Sequence, residues 1–142
     1  MIILYYSRRT AFPALLASLK HCHPTLSLEQ AWPQAVAWLQ QYCHAGEPPF
    51  FLKRFGESPE GDTLYLMTAG VPPPVIKRTL NGLAGLLKSR HDPAWFLLAD
   101  VLPPCRGRWG PISSPIRKAA FWMEIEAFVE QTRLQVELIK QQ

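Results

Sequence analysis

The chain has 142 residues, of which 48% are hydrophobic and 18% are charged, and fifteen Lys and Arg against eleven Asp and Glu give a net charge of +4. This length and balance predict one folded domain spanning residues 1–142 and exclude an extensively disordered chain. The positive excess favours anionic partners mildly, but it is too sparse for a nucleic-acid footprint, so nucleic acid is not expected as a partner.

The cysteine content and the hydropathy pattern predict the compartment. Three cysteines, an odd number without regular spacing, argue against a disulfide framework and for a reducing environment. No apolar run approaches the ~20 residues that cross a bilayer. Arg8 and Arg9 follow the first apolar stretch, whereas a signal peptide carries its charges before that stretch. We therefore expect a cytoplasmic protein with no membrane partner.

The start of the chain predicts a buried strand that leads directly into a helix. Residues 2–6 form an unbroken apolar run, which is typical of a strand covered on both faces. Thr10 is placed to cap the first helix, and Pro24 ends it. The apolar stripe of this helix comprises Phe12, Leu15, Leu16 and Leu19.

A second helix is predicted to run to about His44. Ser27 and Gln30 have the spacing of a capping box at its start. Pro33 leaves two alternatives, because a proline removes a helical hydrogen bond: the helix is kinked at Pro33, or it begins there.

Two strands, residues 50–55 and 63–68, are joined by a polar loop short enough for a hairpin, so one of them should run antiparallel. The triple proline that begins at Pro72 starts a third helix. Residues 95–99 are a further apolar strand that ends at Asp100, before a long loop rich in Pro, Gly and Arg. The apolar face of the third helix comprises Ile76, Leu80, Leu83 and Leu87.

The last helix is predicted from about Pro115 to Gln142. At ~1.5 Å per residue it would span ~40 Å, more than the width of a small domain, so its end is expected to project, fray or pack on a second copy. Its apolar stripe comprises Phe121, Ile125, Phe128, Val129, Thr132, Val136 and Ile139. The order β-α-α-β-β-α-β-α predicts an α/β fold with a short mixed, mostly parallel sheet of about four strands, helices on both faces and a long C-terminal helix.

The turn after the first strand is the first candidate ligand site. Ser7, Arg8, Arg9 and Thr10 supply hydroxyls, two guanidiniums and the amides of a helix N-terminus, which are the parts of phosphate sites. The turn has no glycine that would let the backbone wrap around a phosphate. The alternative is an ordinary surface arginine pair in front of a helix.

The loop after the last strand is the second candidate. Arg106 and Arg108 follow the end of a strand, where open sheets bind their ligands, and could complete a clamp with the two arginines of the first turn. Trp109 could supply a stacking face. The alternative is a solvated loop with Trp109 packed onto the core.

Two further residues near this loop suggest chemistry. Asp100 resembles a magnesium-binding carboxylate, but the chain has no nucleotide-binding glycine-lysine loop, so a turn or capping role is the alternative. Cys105 beside Arg106 suggests a thiolate nucleophile, although tyrosine-phosphatase-like enzymes have a longer loop between these two residue types.

Two clusters of metal-ligand residue types, 21–23 and 43–44, invite a zinc interpretation. Each cluster closes its own helix, and antiparallel helices would hold the two ends ~20 Å or more apart. The histidines are better explained as cations that favour the negative end of a helix dipole. We therefore expect no metal and no cofactor.

Two families share local features with this chain. The first strand resembles the start of flavodoxins, but Arg9 and Phe12 stand where the flavin phosphate loop needs small residues, so no flavin is expected. Segments 1–6, 60–67 and 74–80 resemble the domain-of-unknown-function 3189 family of spore-forming Gram-positive bacteria, over about the first two thirds of the chain. That resemblance implies a bacterial protein but no particular activity.

The sequence thus predicts a protein that binds a phosphate- or carboxylate-bearing small ligand at the C-terminal ends of its strands, with Arg8, Arg9, Arg106 and Arg108 as the cationic lining. The alternative is a non-catalytic interaction or homo-oligomerising subunit that uses the long C-terminal helix. No residue is predicted as a nucleophile or base, so whether the chain is an enzyme stays open.

Overall fold

The computed structural model describes residues 1–7, 11–42, 50–86, 96–100 and 115–141. Its elements in chain order are β1 (Ile2–Ser7), α1 (Phe12–Cys22), α2 (Leu28–Tyr42), β2 (Phe50–Glu57), β3 (Thr63–Ala69), α3 (Pro73–Leu86), β4 (Phe96–Asp100) and α4 (Pro115–Lys140).

The strands form a sheet in the order β2-β3-β1-β4. Strand β1 pairs in parallel with β3 on one side and with β4 on the other. Strand β2 pairs antiparallel with β3, as the hairpin prediction required, with an irregularity in register between Arg54 and Gly56. The α/β class, the mixed sheet and the long C-terminal helix are confirmed.

Strand β1 is buried on both faces, which explains its unbroken apolar sequence. Ile3 and Tyr5 belong to the main core, which also includes side chains of α1, α2 and α4. Leu4 and Tyr6 face the other way and pack with Ile76 of α3 in a smaller core. Helices therefore cover both faces of the sheet.

Helix α1 is buried almost all round, with eight of its eleven residues buried, because it lies between the sheet and the helices α2 and α4. Its N-cap is Ala11, which offers no side-chain hydrogen bond, so the prediction that Thr10 caps it is wrong by one position. Pro13 lies in the first turn, where a missing N–H removes no helical hydrogen bond. The helix ends at Cys22, two residues before Pro24.

One half of the predicted capping box is present at the start of α2, while the Gln30 N–H donates to the Ser27 carbonyl over 3.2 Å. The Ser27 N–H donates to Oε1 of Gln30 over 3.1 Å, which satisfies a donor at the helix start. Pro33 lies inside the helix, so the alternative in which the helix begins at Pro33 is wrong. The predicted end at about His44 lies outside the described residues.

Helix α4 lies along the main core through the predicted apolar stripe. Phe121, Ile125, Val129, Thr132 and Val136 are all buried. Its C-terminal end does not project, because Val136 packs in the core and the Lys140 ammonium pairs with Asp62 at the sheet edge. Over the described ranges, none of the helices combines the length and the apolar character needed to span a bilayer.

Candidate functional site

The C-terminal edge of the sheet, where β1, β3 and β4 end, carries a pair of buried hydroxyl residues. Ser7 and Thr68 are register partners on the neighbouring parallel strands β1 and β3. The preceding partners on this face, Tyr5 with Leu66, point into the main core beneath α1. Ser7 is 1% exposed and Thr68 is 3% exposed.

The Thr68 hydroxyl is unsatisfied. Its Oγ1 atom is buried and has no hydrogen-bond partner in the part of the chain that the structure describes. A buried hydroxyl without a partner costs about 1–3 kcal/mol, so native proteins keep few such groups. Thr68 is thus a buried polar group whose hydrogen-bonding partner is not among its described neighbours.

Helix α1 begins at the same edge and on the same face. Strand β1 ends at Ser7 and α1 starts at Phe12, so the helix N-terminus lies at the end of the sheet where the hydroxyl pair lies. The first turn contains no acidic residue, and the Ala11 N-cap carries no side-chain oxygen. The partial positive charge of this helix end is therefore not neutralised by a side chain of the helix itself.

The two loops singled out from the sequence leave from adjacent strands. Tyr6 of β1 is the register partner of Asp100 of β4, so Asp100 lies one position before the level of Ser7. Neighbouring strands are about 4.8 Å apart, so both loops start within a few ångströms of each other. Of the predicted site residues, the structure describes Ser7 and the backbone of Asp100. Outside the described residues lie Arg8, Arg9, Thr10, Cys105, Arg106, Arg108 and Trp109.

The opposite, N-terminal edge of the sheet holds a cluster of charged groups that the sequence analysis missed. Asp62 is 2% exposed, and its carboxylate lies 2.8 Å from Lys140 Nζ and 3.1 Å from the Met1 amino group. Its backbone closes a turn, since the Ser58 N–H donates to the Asp62 carbonyl and the Asp62 N–H donates to Ser58 Oγ. Gly61 supplies the left-handed conformation that this turn needs, with φ of 88°.

Arg133 joins three parts of the N-terminal edge. One guanidinium nitrogen donates to Glu60 Oε1 over 2.8 Å, and the other donates to the His21 carbonyl over 2.6 Å. The second bond places a cation at the C-terminal end of α1, where it complements the helix dipole. Although burial opposes it, hydrogen bonding and the charge of Arg133 hold the pKa of Glu60 below its usual value.

His21 and Tyr5 form a buried pair beneath this network. The Tyr5 hydroxyl and His21 Nδ1 share a hydrogen bond over 2.7 Å. Burial, together with the charge of Arg133, lowers the pKa of His21 to about 4, and burial raises the pKa of Tyr5 far above its usual value. The prediction that His21 acts as a cation at the helix end is wrong, because burial keeps the imidazole neutral and Arg133 supplies the charge.

A shallow cleft lies at the N-terminal edge. Its volume, counted out to where it meets the solvent, is about 250 Å³. The charged groups around it are already matched, since Arg133 pairs with Glu60 and Lys140 pairs with Asp62. An anion entering the cleft would have to compete with these carboxylates. The C-terminal edge, where the Thr68 hydroxyl has no partner among the described residues, is therefore the better candidate site.

The remaining candidates from the sequence are resolved in part. Burial raises the pKa of the Cys22 thiol to about 11, which keeps it protonated and unreactive at neutral pH. Cys43 and His44 lie outside the described residues. Within the described ranges, no group of three or more His, Cys, Asp or Glu side chains is arranged to hold a metal ion.

Comparison with protein-family models, with curated proteins and with solved structures gave no match to this chain.

Proposed function

We propose that this protein binds a small ligand bearing a phosphate or carboxylate group at the C-terminal edge of its sheet. The observation that carries the proposal is the buried, unpartnered Thr68 hydroxyl beside Ser7. A ligand oxygen that accepts a hydrogen bond from Thr68 would remove the desolvation cost that this hydroxyl otherwise imposes on the fold.

The topology supports this location. In open α/β sheets, ligands bind outside the carboxyl ends of the parallel strands, where loops and helix N-termini converge. Here β1, β3 and β4 run parallel and α1 begins beyond the end of β1. The N-terminus of α1, whose first turn carries no acidic residue, favours a negatively charged group on the ligand.

The cationic lining is supplied by the two loops that start at this edge. Arg8 and Arg9 follow Ser7 directly in the chain. Arg106 and Arg108 follow Asp100 in the loop that leaves the neighbouring strand. Guanidiniums bind carboxylate and phosphate through paired, charge-assisted hydrogen bonds, and Trp109 can stack on an aromatic part of the ligand.

The proposal concerns binding and assigns no reaction. Asp100 is the last residue of β4, and this place in the chain suits an acidic residue with a role beside the ligand. Among the described side chains at this edge, we identify no pair of a nucleophile and a neighbouring base. No residue is therefore assigned to catalysis.

The test is ligand-dependent stabilisation. Thermal unfolding is followed with inorganic phosphate, pyrophosphate or citrate added at constant ionic strength. We expect the melting temperature to rise with concentration, and we expect R9A or R106A to abolish the rise while leaving the unliganded protein unchanged. R54A is the matched control, because Arg54 is exposed on the edge strand β2 and pairs only with Glu57 among the interactions described. The proposal would be contradicted if none of these anions raised the melting temperature, or if R54A reduced the rise as much as R9A or R106A did.

Two expectations from the sequence also remain proposals. The resemblance to the domain-of-unknown-function 3189 family rests on β1, β3 and the start of α3. The alternative function, a non-catalytic interaction or homo-oligomerising subunit, is favoured by exposed apolar side chains on α4.

A further inference from the structure

Helix α4 carries a second apolar surface on the side that faces away from the core. Four large side chains of this surface are more than half exposed: Ile116 at 82%, Met123 at 69%, Leu134 at 52% and Leu138 at 61%. They are 7, 11 and 4 residues apart, and at about 100° per residue these steps place all four on one side of the helix. With the exposed small or polar residues between them, the surface, here called the outer stripe, comprises Ile116, Ala120, Met123, Ala127, Gln131, Leu134 and Leu138.

The outer stripe lies opposite the buried stripe. Ile125, at the centre of the buried stripe, follows Ile116 by nine residues, which is half a turn from it at about 100° per residue. Among the described elements, α4 packs mainly on α1 and α2, and its buried apolar residues belong to the main core. A helix that is apolar on two opposite sides is typical of one that is covered twice.

The outer stripe has a symmetric arrangement along the helix. Its members lie at equal distances on either side of Ala127, which stands eleven residues from Ile116 and eleven from Leu138. In an antiparallel pair of α4 helices with Ala127 on the two-fold axis, Ile116 would therefore meet Leu138 of the other copy. In the same register Leu134 would face Ala120, and Met123 would face Gln131. A parallel pair would instead set Leu134 against Leu134 and Ala120 against Ala120.

We propose that the occupant of the outer stripe is a second copy of this chain, with the two α4 helices antiparallel about Ala127. A two-fold dimer needs one surface that is complementary to itself, and the symmetric stripe provides such a surface. This inference gives a definite partner to the interaction alternative, and it does not depend on the proposed ligand site.

The size of the surface suits a dimer. The stripe from Ile116 to Leu138 runs for about 33 Å at ~1.5 Å per residue. The largest apolar patch on a typical monomer covers about 300–600 Å², and four large side chains that are each more than half exposed place the outer stripe in this range. Two such patches with their polar borders would bury a total surface close to 1,200 Å², about the lower limit for specific protein interfaces. We therefore expect a reversible dimer rather than an obligate one.

The experiment is sedimentation velocity of the full chain over about two decades of concentration. The wild type should pass from the 16.1 kDa of one chain to twice that mass. L134K should raise the dimer dissociation constant at least about tenfold, since it places a charge in the apolar contact. Q135K is the matched control, because Gln135 is the next residue, is exposed and lies outside the stripe. Far-ultraviolet circular dichroism and the melting temperature establish that both variants fold.

A charge pair tests the antiparallel register. A120E and L134K should each weaken the dimer, and A120E/L134K in one chain should restore it. In the antiparallel pair the carboxylate at 120 of each copy would face the amine at 134 of the other copy, so the two-fold axis creates two ion pairs. A wild type that stays monomeric, or an L134K variant that dimerises like Q135K, would overturn the proposal. If A120E/L134K dimerised no more tightly than L134K, the antiparallel arrangement would be overturned.

Discussion

The two edges of the sheet use polar residues in opposite ways. At the N-terminal edge, Glu60 and Asp62 pair with Arg133 and Lys140, and the buried Tyr5 hydroxyl is hydrogen-bonded to His21. Asp62 Oδ1 makes no hydrogen bond of standard geometry among the described residues, but it lies 2.8 Å from the Lys140 ammonium and 3.1 Å from the Met1 amino group, so its charge is compensated. At the C-terminal edge, the equally buried Thr68 hydroxyl has no partner in the described part of the chain.

This difference separates a stabilising cluster from a candidate binding site. Buried polar groups that satisfy one another hold elements together, and here they join α1, α4, β1 and the β2–β3 turn. A buried polar group left unsatisfied lowers stability, and it is retained where a ligand completes its bonding. We therefore expect substitutions at the N-terminal edge to affect folding, and substitutions at the C-terminal edge to affect binding.

The largest expected effect is the loss of the Asp62 charge. D62N should lower the free energy of unfolding by about 3 kcal/mol, because it leaves the Lys140 ammonium and the Met1 amino group without their buried partner. Urea unfolding measures the change. The control is E57Q, which breaks the exposed Arg54–Glu57 pair and should cost less than about 0.5 kcal/mol. Equal effects in the two variants would contradict a stabilising role for the N-terminal edge.

Acid should destabilise the protein through His21. The pKa of His21 is about 4 in the folded state and about 6.5 when the chain is unfolded, so the unfolded state binds a proton first. Stability should therefore fall as pH drops from about 6.5 to about 4, by up to about 3 kcal/mol from this group. Urea titrations between these pH values measure the slope, which H21Q should reduce.

His23 provides the control for this titration, because it is exposed and only two residues away. H23Q should keep the wild-type dependence of stability on pH. A wild-type slope that H21Q leaves unchanged would show that His21 is not held neutral by burial.

A smaller loss is expected when Arg133 is replaced. R133M keeps the packing of the aliphatic stem but removes the bonds to Glu60 and to the His21 carbonyl, at a cost of about 2 kcal/mol. Because the charge of Arg133 helps to lower the pKa of His21, the same variant should raise that pKa. Nuclear magnetic resonance titration of the imidazole measures it, and an unchanged pKa would contradict the coupling.

The smallest effect has the opposite sign and tests the C-terminal edge directly. T68V removes the unsatisfied hydroxyl without changing the side-chain shape, so the unliganded protein should gain about 1 kcal/mol while stabilisation by phosphate decreases. T132V is the control, because the Thr132 hydroxyl donates to the Phe128 carbonyl over 3.0 Å and its removal should destabilise by about 1 kcal/mol. A loss of stability in both variants would mean that the Thr68 hydroxyl is satisfied in solution.

Local patterns predicted the elements because their signals come from neighbouring residues. The run from Ile2 to Tyr6 predicted a strand buried on both faces, which is present. The spacing of Ser27 and Gln30 predicted a capping box, of which the bond from the Ser27 N–H to the Gln30 side chain is present. The N-cap of α1 was misplaced by one residue, since the start of a helix depends on how the preceding loop leaves the strand. The sequence analysis did not predict the outer stripe, because the buried stripe of α4 by itself explained the periodic spacing of apolar residues.

The candidate site was predictable only in outline. The sequence placed Ser7 and Asp100 at strand ends, and a parallel sheet brings such ends together. It could not single out the Thr68 hydroxyl, because whether a polar atom finds a partner depends on every neighbour around it. The same holds for the N-terminal edge, where Arg133 lies 112 positions from the His21 carbonyl that it binds.

The sequence by itself determined the α/β class, the order of the elements and the inner face of α4, since each follows from the spacing of apolar residues along a short stretch of chain. Only the tertiary structure decided which polar groups are satisfied and which are not. Hydrogen bonds and ion pairs between distant residues form only once the helices are packed on the sheet, and that packing paired the groups of one edge while leaving Thr68 at the other without a described partner.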